Sequence, residues 1–270
     1  DCLILHESLL GGPEAMNVLI KNLKHVPSLQ TLHLCSVGMT ADEFHALAET
    51  LPFTPLLSEI HLEKGQICPK EALDLANALK NVSGLTHLRI SLIQMGPKSL
   101  RRLAENLRYL PALLTLALPN TAMNAKAACA LADNLKYVTK LQAMNLSGNK
   151  LGKGVPNIAA KLKHVSSLQK LRLADTLMGP SGAAALASRL STFTSLTHLD
   201  LTQSELGSSG TEALAANMKH VRELRQLQLS CSQLKKAAAF YASLLSIDQL
   251  TCLELTQVEM CPHFAATLKE

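Results

Sequence analysis

Residues 141–151 read Leu-Gln-Ala-Met-Asn-Leu-Ser-Gly-Asn-Lys-Leu, and this stretch decides the fold. Met144 and Leu146 stand two residues apart, the spacing of one face of a β-strand. Leu141 lies three residues before Met144, and Leu151 follows five after Leu146, across a Gly-Asn turn pair. The figure recurs ten times. Its members are Leu3-Ile4-Leu5, Leu32-His33-Leu34, Ile60-His61-Leu62, Leu88-Arg89-Ile90, Leu116-Ala117-Leu118, Met144-Asn145-Leu146, Leu171-Arg172-Leu173, Leu199-Asp200-Leu201, Leu227-Gln228-Leu229 and Leu253-Glu254-Leu255. Successive first residues are 29, 28, 28, 28, 28, 27, 28, 28 and 26 apart. A fixed period of this size marks stacked supersecondary units.

A second pattern fills the interval. The interval carries Leu47-Ala48 with Leu51, Leu75-Ala76 with Leu79, Leu103-Ala104 with Leu107, Leu131-Ala132 with Leu135, Ile158-Ala159 with Leu162, Leu186-Ala187 with Leu190, and Leu214-Ala215 with Met218, and all but the first are followed three residues later by another apolar residue, Val82, Leu110, Val138, Val165, Phe193 or Val221. Positions i, i+1, i+4 and i+7 share one helical face. Gly12-Pro13, Pro69, Gly96-Pro97 and Gly179-Pro180 are expected to open helices, because proline at the first helical position sacrifices no hydrogen bond. The pairs Lys24-His25, Arg108-Tyr109, Lys136-Tyr137, Lys163-His164 and Lys219-His220 are expected at helix ends, where cations meet the negative pole of the dipole. One strand and one helix cannot bury their apolar faces alone, so the units must stack. A polar residue at Leu146 or Leu201 is expected to break a layer.

Composition agrees. The 270 residues are 47% hydrophobic but only 3% aromatic, with no Trp, which suits thin aliphatic layers. No run of about 18 apolar residues suggests a membrane span, and no signal peptide is visible. The seven cysteines are odd in number and form no C-x-x-C, so they read as scattered thiols of a reducing, cytoplasmic compartment. The net charge of +5 argues against a strongly basic partner.

A period near 28 with a full helix per unit resembles the ribonuclease-inhibitor-like class of leucine-rich repeats. The expected fold is therefore an α/β solenoid, a horseshoe of about ten repeats with a parallel sheet inside and helices outside, all in one domain over 1–270. Gly179 to Leu196 and Gly207 to Leu224 carry a block, G-x-x-G/A-x-x-A-L-A-x-x-L-K-H-V-x-x-L, that resembles the repeats of animal nucleotide-binding leucine-rich-repeat receptors, the NLRs. Ribonuclease inhibitors, Ran GTPase-activating proteins and tropomodulin-like proteins share the architecture. Ribonuclease inhibitors are acidic and Cys-rich, whereas this chain is basic, and no acidic tail like that of the Ran activators is seen. The chain begins within a strand and ends within a helix expected after Pro262, so it is expected to be a fragment of a longer protein. The resemblance implies a ligand-sensing or regulatory part of an innate immune receptor. Its partner would be a protein or pathogen-derived ligand on the concave face, with self-association inside the larger receptor.

That face is expected to display the residues between the buried strand leucines: Ile4, His33, His61, Arg89, Ala117, Asn145, Arg172, Asp200, Gln228 and Glu254. Its polar members, from His33 to Glu254, are the candidate partner-binding residues, basic toward the N-terminus and acidic toward the C-terminus. Glu59, Glu63, Lys64, His87, Lys170, Asp175 and His198 flank them. His33, His61 and His87 invite a zinc reading, with Cys35 nearby on the same face, but the sequence alone orders no thiol or carboxylate set around them, and no metal or other cofactor is assigned. Gly148 to Gly154 hints at a phosphate loop, yet its glycine spacing is one short and Gly154 stands where Ser or Thr is needed, so it reads as a repeat turn. No nucleophile–base set or paired carboxylates appear, so no enzymatic activity is expected. Nucleic acid is not the expected partner, because stacking aromatics are lacking on the inner face. A polyanion or nucleic-acid binding repeat scaffold and a GTPase-regulating or inhibitor-type repeat protein stay as alternatives.

The position that holds an Asn ladder in many such repeats reads Ser8, Val37, Gly65, Ile93, Thr121, Asn149, Thr176, Ser204, Ser232 and Val258. Only one is Asn, so most turns must find other partners for their backbone groups, hydroxyls or water.

Overall fold

The computed structural model describes residues 1–6, 13–230, 237–244 and 247–256. Gly12, Ser8, Ser232, Val258 and the helix expected after Pro262 lie outside the described residues. Ten strands form one parallel sheet in strict chain order. They are β1 (Cys2–His6), β2 (Thr31–Met39), β3 (Glu59–Gly65), β4 (His87–Ile93), β5 (Thr115–Ala117), β6 (Ala143–Asn145), β7 (Lys170–Arg172), β8 (His198–Leu201), β9 (Gln226–Ser230) and β10 (Cys252–Thr256). The helices between them are α1 (Pro13–Asn22), α2 (Ala41–Thr50), α3 (Pro69–Ala78), α4 (Gly96–Asn106), α5 (Ala125–Asn134), α6 (Val155–Lys161), α7 (Gly179–Ala187), α8 (Gly207–Asn217) and α9 (Ala237–Leu244).

The period-2 reading holds along the sheet, except that in β5 Ala117 is buried along with Leu116 and Leu118. Leu32, Leu34, Ile60, Leu62, Leu88, Ile90, Leu146 and Leu201 are all buried, while the residues between them face outward. The helical faces meet them from one side: Leu47, Leu75, Leu103, Leu131, Ile158, Leu186 and Leu214 are fully covered, and one apolar core runs the length of the stack. The helices start as their sequences dictate. Pro13, Pro69, Pro97 and Pro180 sit in first turns. Helix α2 has no such proline, and there the Glu43 carboxylate accepts from Thr40 N at 2.6 Å, a Thr-x-x-Glu capping device. Gly65 makes room beside this helix, since a Cβ there would stand 2.7 Å from the buried Phe44 ring.

One expectation shifts. The basic pairs Lys24-His25, Arg108-Tyr109, Lys136-Tyr137, Lys163-His164 and Lys219-His220 lie beyond the α-helices, in a further 3₁₀ turn. Each such turn begins with a buried Leu or Met, whose carbonyl accepts the N–H three residues on, as in Val138 N to Leu135 O at 3.1 Å. The tightened turn lets Leu135 or Met218 reach the core and redirects the chain toward the next strand.

The turn after each strand closes in two ways. In β2, β3 and β4 the ladder position is Val37, Gly65 or Ile93, and the strands run on to nine, seven and seven residues. Backbone therefore pairs with backbone, including Met39 opposite Gly65 and Gly65 opposite Ile93. In the middle repeats the strands are three or four residues long, and polar side chains take over. Asn149, buried, accepts from Thr121 N (3.1 Å) and Met123 N (2.9 Å) and donates to Leu118 O (2.7 Å) and Leu146 O (2.9 Å). Thr121 and Thr176 each donate to the carbonyl three residues back, and Ser204 donates to Leu173 O of the preceding repeat. The residue three places past each central strand position has positive φ from Ser36 through Gln203, which rotates the chain out of the sheet. Gly148, with φ +68°, is that residue in its repeat, and so the glycine-rich stretch 148–154 is a repeat turn with Asn149 pointing into the core.

Asn149→Ala should cost about 3 kcal/mol in urea unfolding, because Thr121 N, Met123 N and Leu146 O lose their side-chain partner and Leu118 O loses one of its two. Thr176→Val, which removes a single donor, should cost about 1 kcal/mol. Equal costs for the two would contradict the ladder role of Asn149.

Candidate functional site

The strand register assembles the predicted row as one lateral line. Ile4 pairs with His33, His33 with His61, His61 with Arg89, Arg89 with Ala117, and Ala117 with Asn145. Asn145 then pairs with Arg172, Arg172 with Asp200, Asp200 with Gln228, and Gln228 with Glu254. All eight candidate residues thus stand on the sheet face opposite the helices, each one strand from the next except Arg89 and Asn145, which Ala117 separates. Parallel strands are about 4.8 Å apart, so the row is a continuous ribbon of side chains. Ala117, buried, is the low point that separates its two halves.

The first half is a coupled cluster. The His33 and His61 rings meet edge to face with centroids 5.4 Å apart. His33 Nε2 lies 3.1 Å from Glu59 Oε1 on the next strand. Cys35 makes its contact across the strands with His61 rather than with His33 of its own strand, its Sγ standing 3.4 Å from His61 Nδ1. Glu63 pairs laterally with Cys35 and places Oε2 3.9 Å from His61 Nε2. Burial, the Arg89 cation and His33 hold the His61 imidazolium below its ordinary pKa. Burial and the Glu63 carboxylate push the Cys35 thiol up. His87 stands apart, its Nδ1 2.8 Å from Thr86 Oγ1.

The second half holds its polar groups more openly. The carbonyl oxygen of Asn145 accepts from Ser147 N, and Asp200 accepts from both the N–H and hydroxyl of Thr202, so both side chains are fixed by their own turns. Gln228 donates to Glu254 at 2.6 Å. Arg172 is exposed. Beside it, Lys170, His198, Arg225 and Glu223 line a shallow cleft at the lower edge of the sheet. Sequence reading placed Lys170 and His198 on this face but not Arg225, which precedes its strand. Its main-chain signal is the periodic step from Thr197, whose carbonyl accepts Arg225 N at 2.8 Å. Acidic Glu59 and Glu63 thus sit among the N-terminal histidines, and Lys170, Arg172 and Arg225 among the C-terminal acids, so charge alternates along the face rather than dividing it in two.

The comparisons with known proteins follow this geometry. A family model described as Leucine Rich repeat matches residues 194–215, which hold β8 and the start of α8. No curated protein matches the chain in sequence. Among solved structures, a chain described as the crystal structure of the Rad7 and Elc1 complex in yeast is similar with a TM-score of 0.53 at 17% identity, over 93% of this chain and 69% of that one. The fold is a leucine-rich-repeat solenoid. A second chain, Leiomodin-1 Actin-Binding Site 2, matches at 16% identity with a TM-score of 0.37, over 77% of this chain and 87% of that one. Among the described residues no helix is long and apolar enough to cross a membrane.

His198 provides a check on the electrostatics of this solenoid's second half. Burial and the cations of Lys170, Arg172 and Arg225 lower its pKa. It should titrate below about 6.5 in an NMR pH series, and Lys170→Ala should move the midpoint upward. Because the folded state binds this proton less readily than the unfolded chain, His198 takes stability away as pH falls through the unfolded value and is neutral to stability above it. A midpoint above the ordinary value would contradict the assigned environment.

Proposed function

We propose that this chain is the partner-binding leucine-rich-repeat domain of a cytoplasmic NLR-like receptor, of the ribonuclease-inhibitor-like class. In this reading the open sheet face holds a protein or pathogen-derived ligand, binding restrains or releases the larger receptor, and the domain carries out no chemical step. The observation that carries the reading is the lateral row from His33 to Glu254, polar on both sides of Ala117 and set on a floor of buried leucines. Such a face offers side chains whose positions are fixed by the sheet, so a partner binds without an entropic cost for ordering loops. Its alternating charge selects a partner of complementary pattern, which favours specificity and encounter rate. The receptor context rests on the sequence resemblance carried by Gly179 to Leu196 and Gly207 to Leu224.

A second reading has its own observation. The 3₁₀ turns set Lys24, Lys80, Arg108, Lys136, Lys163 and Lys219 at equivalent places along one edge of the stack. Arg108 and Lys136 lie over the neighbouring Tyr109 and Tyr137 rings at 5.1 and 5.0 Å. A cationic edge with half-exposed tyrosines suits a polyanion.

A photo-crosslinking amino acid at Arg172 or Gln228 in the full-length protein should yield the same adduct in the cells that express it. One at Lys126 on α5, outside the sheet, should yield none. Adducts from Lys126 alone would overturn the reading. Captured complex should survive a salt increase from about 50 to 200 mM, whereas a polyanion held by six or more phosphate contacts would weaken at least ~10³-fold over that range.

A further inference from the structure

We propose that Cys35, His61 and Glu63 form a zinc-type divalent metal site on the open face of the sheet, independent of any macromolecular partner. One donor atom from each of the three residues lies within 4.8 Å of the other two. The three come from two adjacent strands. Cys35 and Glu63 are register partners, and His61 stands two residues before Glu63 on the same side of β3. The backbone therefore fixes all three Cβ positions, and only the Glu63 side chain has to swing.

The donor chemistry is selective. A thiolate, an imidazole and a carboxylate together are a ligand set for zinc, whereas magnesium and calcium require oxygen. The separation of Cys35 Sγ and His61 Nδ1, 3.4 Å, is already that of neighbouring ligands on a tetrahedral ion with Zn–S of about 2.3 Å and Zn–N of about 2.0 Å. Cys35 is buried, and the buried Nε2 of His61 has no hydrogen-bond partner. The nitrogen that faces the thiol is Nδ1, whereas Glu63 approaches Nε2 on the far side of the ring at 3.9 Å, so a metal held with Cys35 takes Nδ1 and draws the Glu63 carboxylate round to it. His33 packs edge-on against His61 and fixes the plane of its ring. Binding would release the thiol proton to solvent and leave the fourth position open on the ligand-accessible side, where water or a partner's side chain completes the shell.

The zinc reading of His33, His61 and His87, with Cys35 nearby, lacked a carboxylate, and the fold supplies it as Glu63. His87 is too far along the sheet and bonds to Thr86 instead. Cys35 and Glu63 replace it, because the 28-residue step from Cys35 to Glu63 equals the repeat.

The test titrates the reduced, metal-free protein with Co²⁺. The expected result is a thiolate-to-cobalt charge-transfer band that saturates at one equivalent and disappears on adding Zn²⁺. Cys35→Ser should abolish it. His61→Asn and Glu63→Gln, at half-exposed positions, should weaken Co²⁺ affinity at least tenfold while leaving the circular dichroism spectrum unchanged. Cys68→Ser and Cys252→Ser, at exposed thiols, should have no effect. Absence of the band overturns the site, and so does a band that persists in Cys35→Ser or is lost with Cys68→Ser.

Discussion

The structure depends on one repeated hydrogen-bond arrangement between neighbouring units. The carbonyl that precedes each strand accepts two N–H groups from the next repeat. Gln30 O takes Ser58 N and Glu59 N, Ser58 O takes Thr86 N and His87 N, and the pattern continues through Arg225 O with Thr251 N and Cys252 N. This spine sets every strand in the same register as its neighbour. A slip of one residue would turn a whole set of leucines outward, so the buried face and the spine enforce each other. Because the unit is also the unit of burial, each repeat is stable only through its neighbours. The lateral line of exposed residues is a direct consequence: what occupies the central position of a strand is delivered beside the central residue of the next.

Closing the other end of each strand is a harder problem, and the chain solves it with two chemistries. Where the turn residue is apolar, the strand lengthens and the main chain pairs with itself. Where it is polar, the strand stops early and Thr, Ser or Asn takes the carbonyls. The N-terminal half of the face is therefore formed on longer, better-paired strands, and it is there that His33, Cys35, His61 and Glu63 lie in contact. The middle repeats trade strand length for a buried ladder with Asn149 as its best-connected member. The Thr121, Thr176 and Ser204 hydroxyls are satisfied at the same time, each donating to a main-chain carbonyl.

Much of this was legible in the residues. Period-2 leucines and the 28-residue step place all ten strands, and the helical spacing Leu-Ala-x-x-Leu places the outer layer, since both depend on burial periodicity alone. The central row followed from the same counting. What the sequence did not show is what depends on pairing across repeats. That hydroxyls satisfy the short turns was one of two stated possibilities, but that Val37, Gly65 and Ile93 go with longer strands required seeing where the ladders end. The basic pairs belong to a 3₁₀ turn rather than the helix itself, because a buried Leu tightens the chain just before them. Cys35 was read beside His33, its neighbour in sequence, whereas the register sets it opposite Glu63 and its thiol meets His61.

The open sheet face is the natural working surface because its candidate side chains are polar, exposed at Arg89, Arg172 and Glu254 and half-buried at His33, His61, Asn145, Asp200 and Gln228, and stand on the side of the sheet away from the leucine core. That argument stands or falls with the equivalence of the repeats. The most direct measurement is excision of one whole unit, residues 116–143, which joins Thr115 to Met144 in the register that the two strands already share. The shortened chain should stay folded, keep a cooperative urea transition and show a circular dichroism spectrum reduced in proportion to the residues removed. Loss of folded structure on this excision, at a cost no smaller than that of a deletion displaced by half a unit, would contradict it.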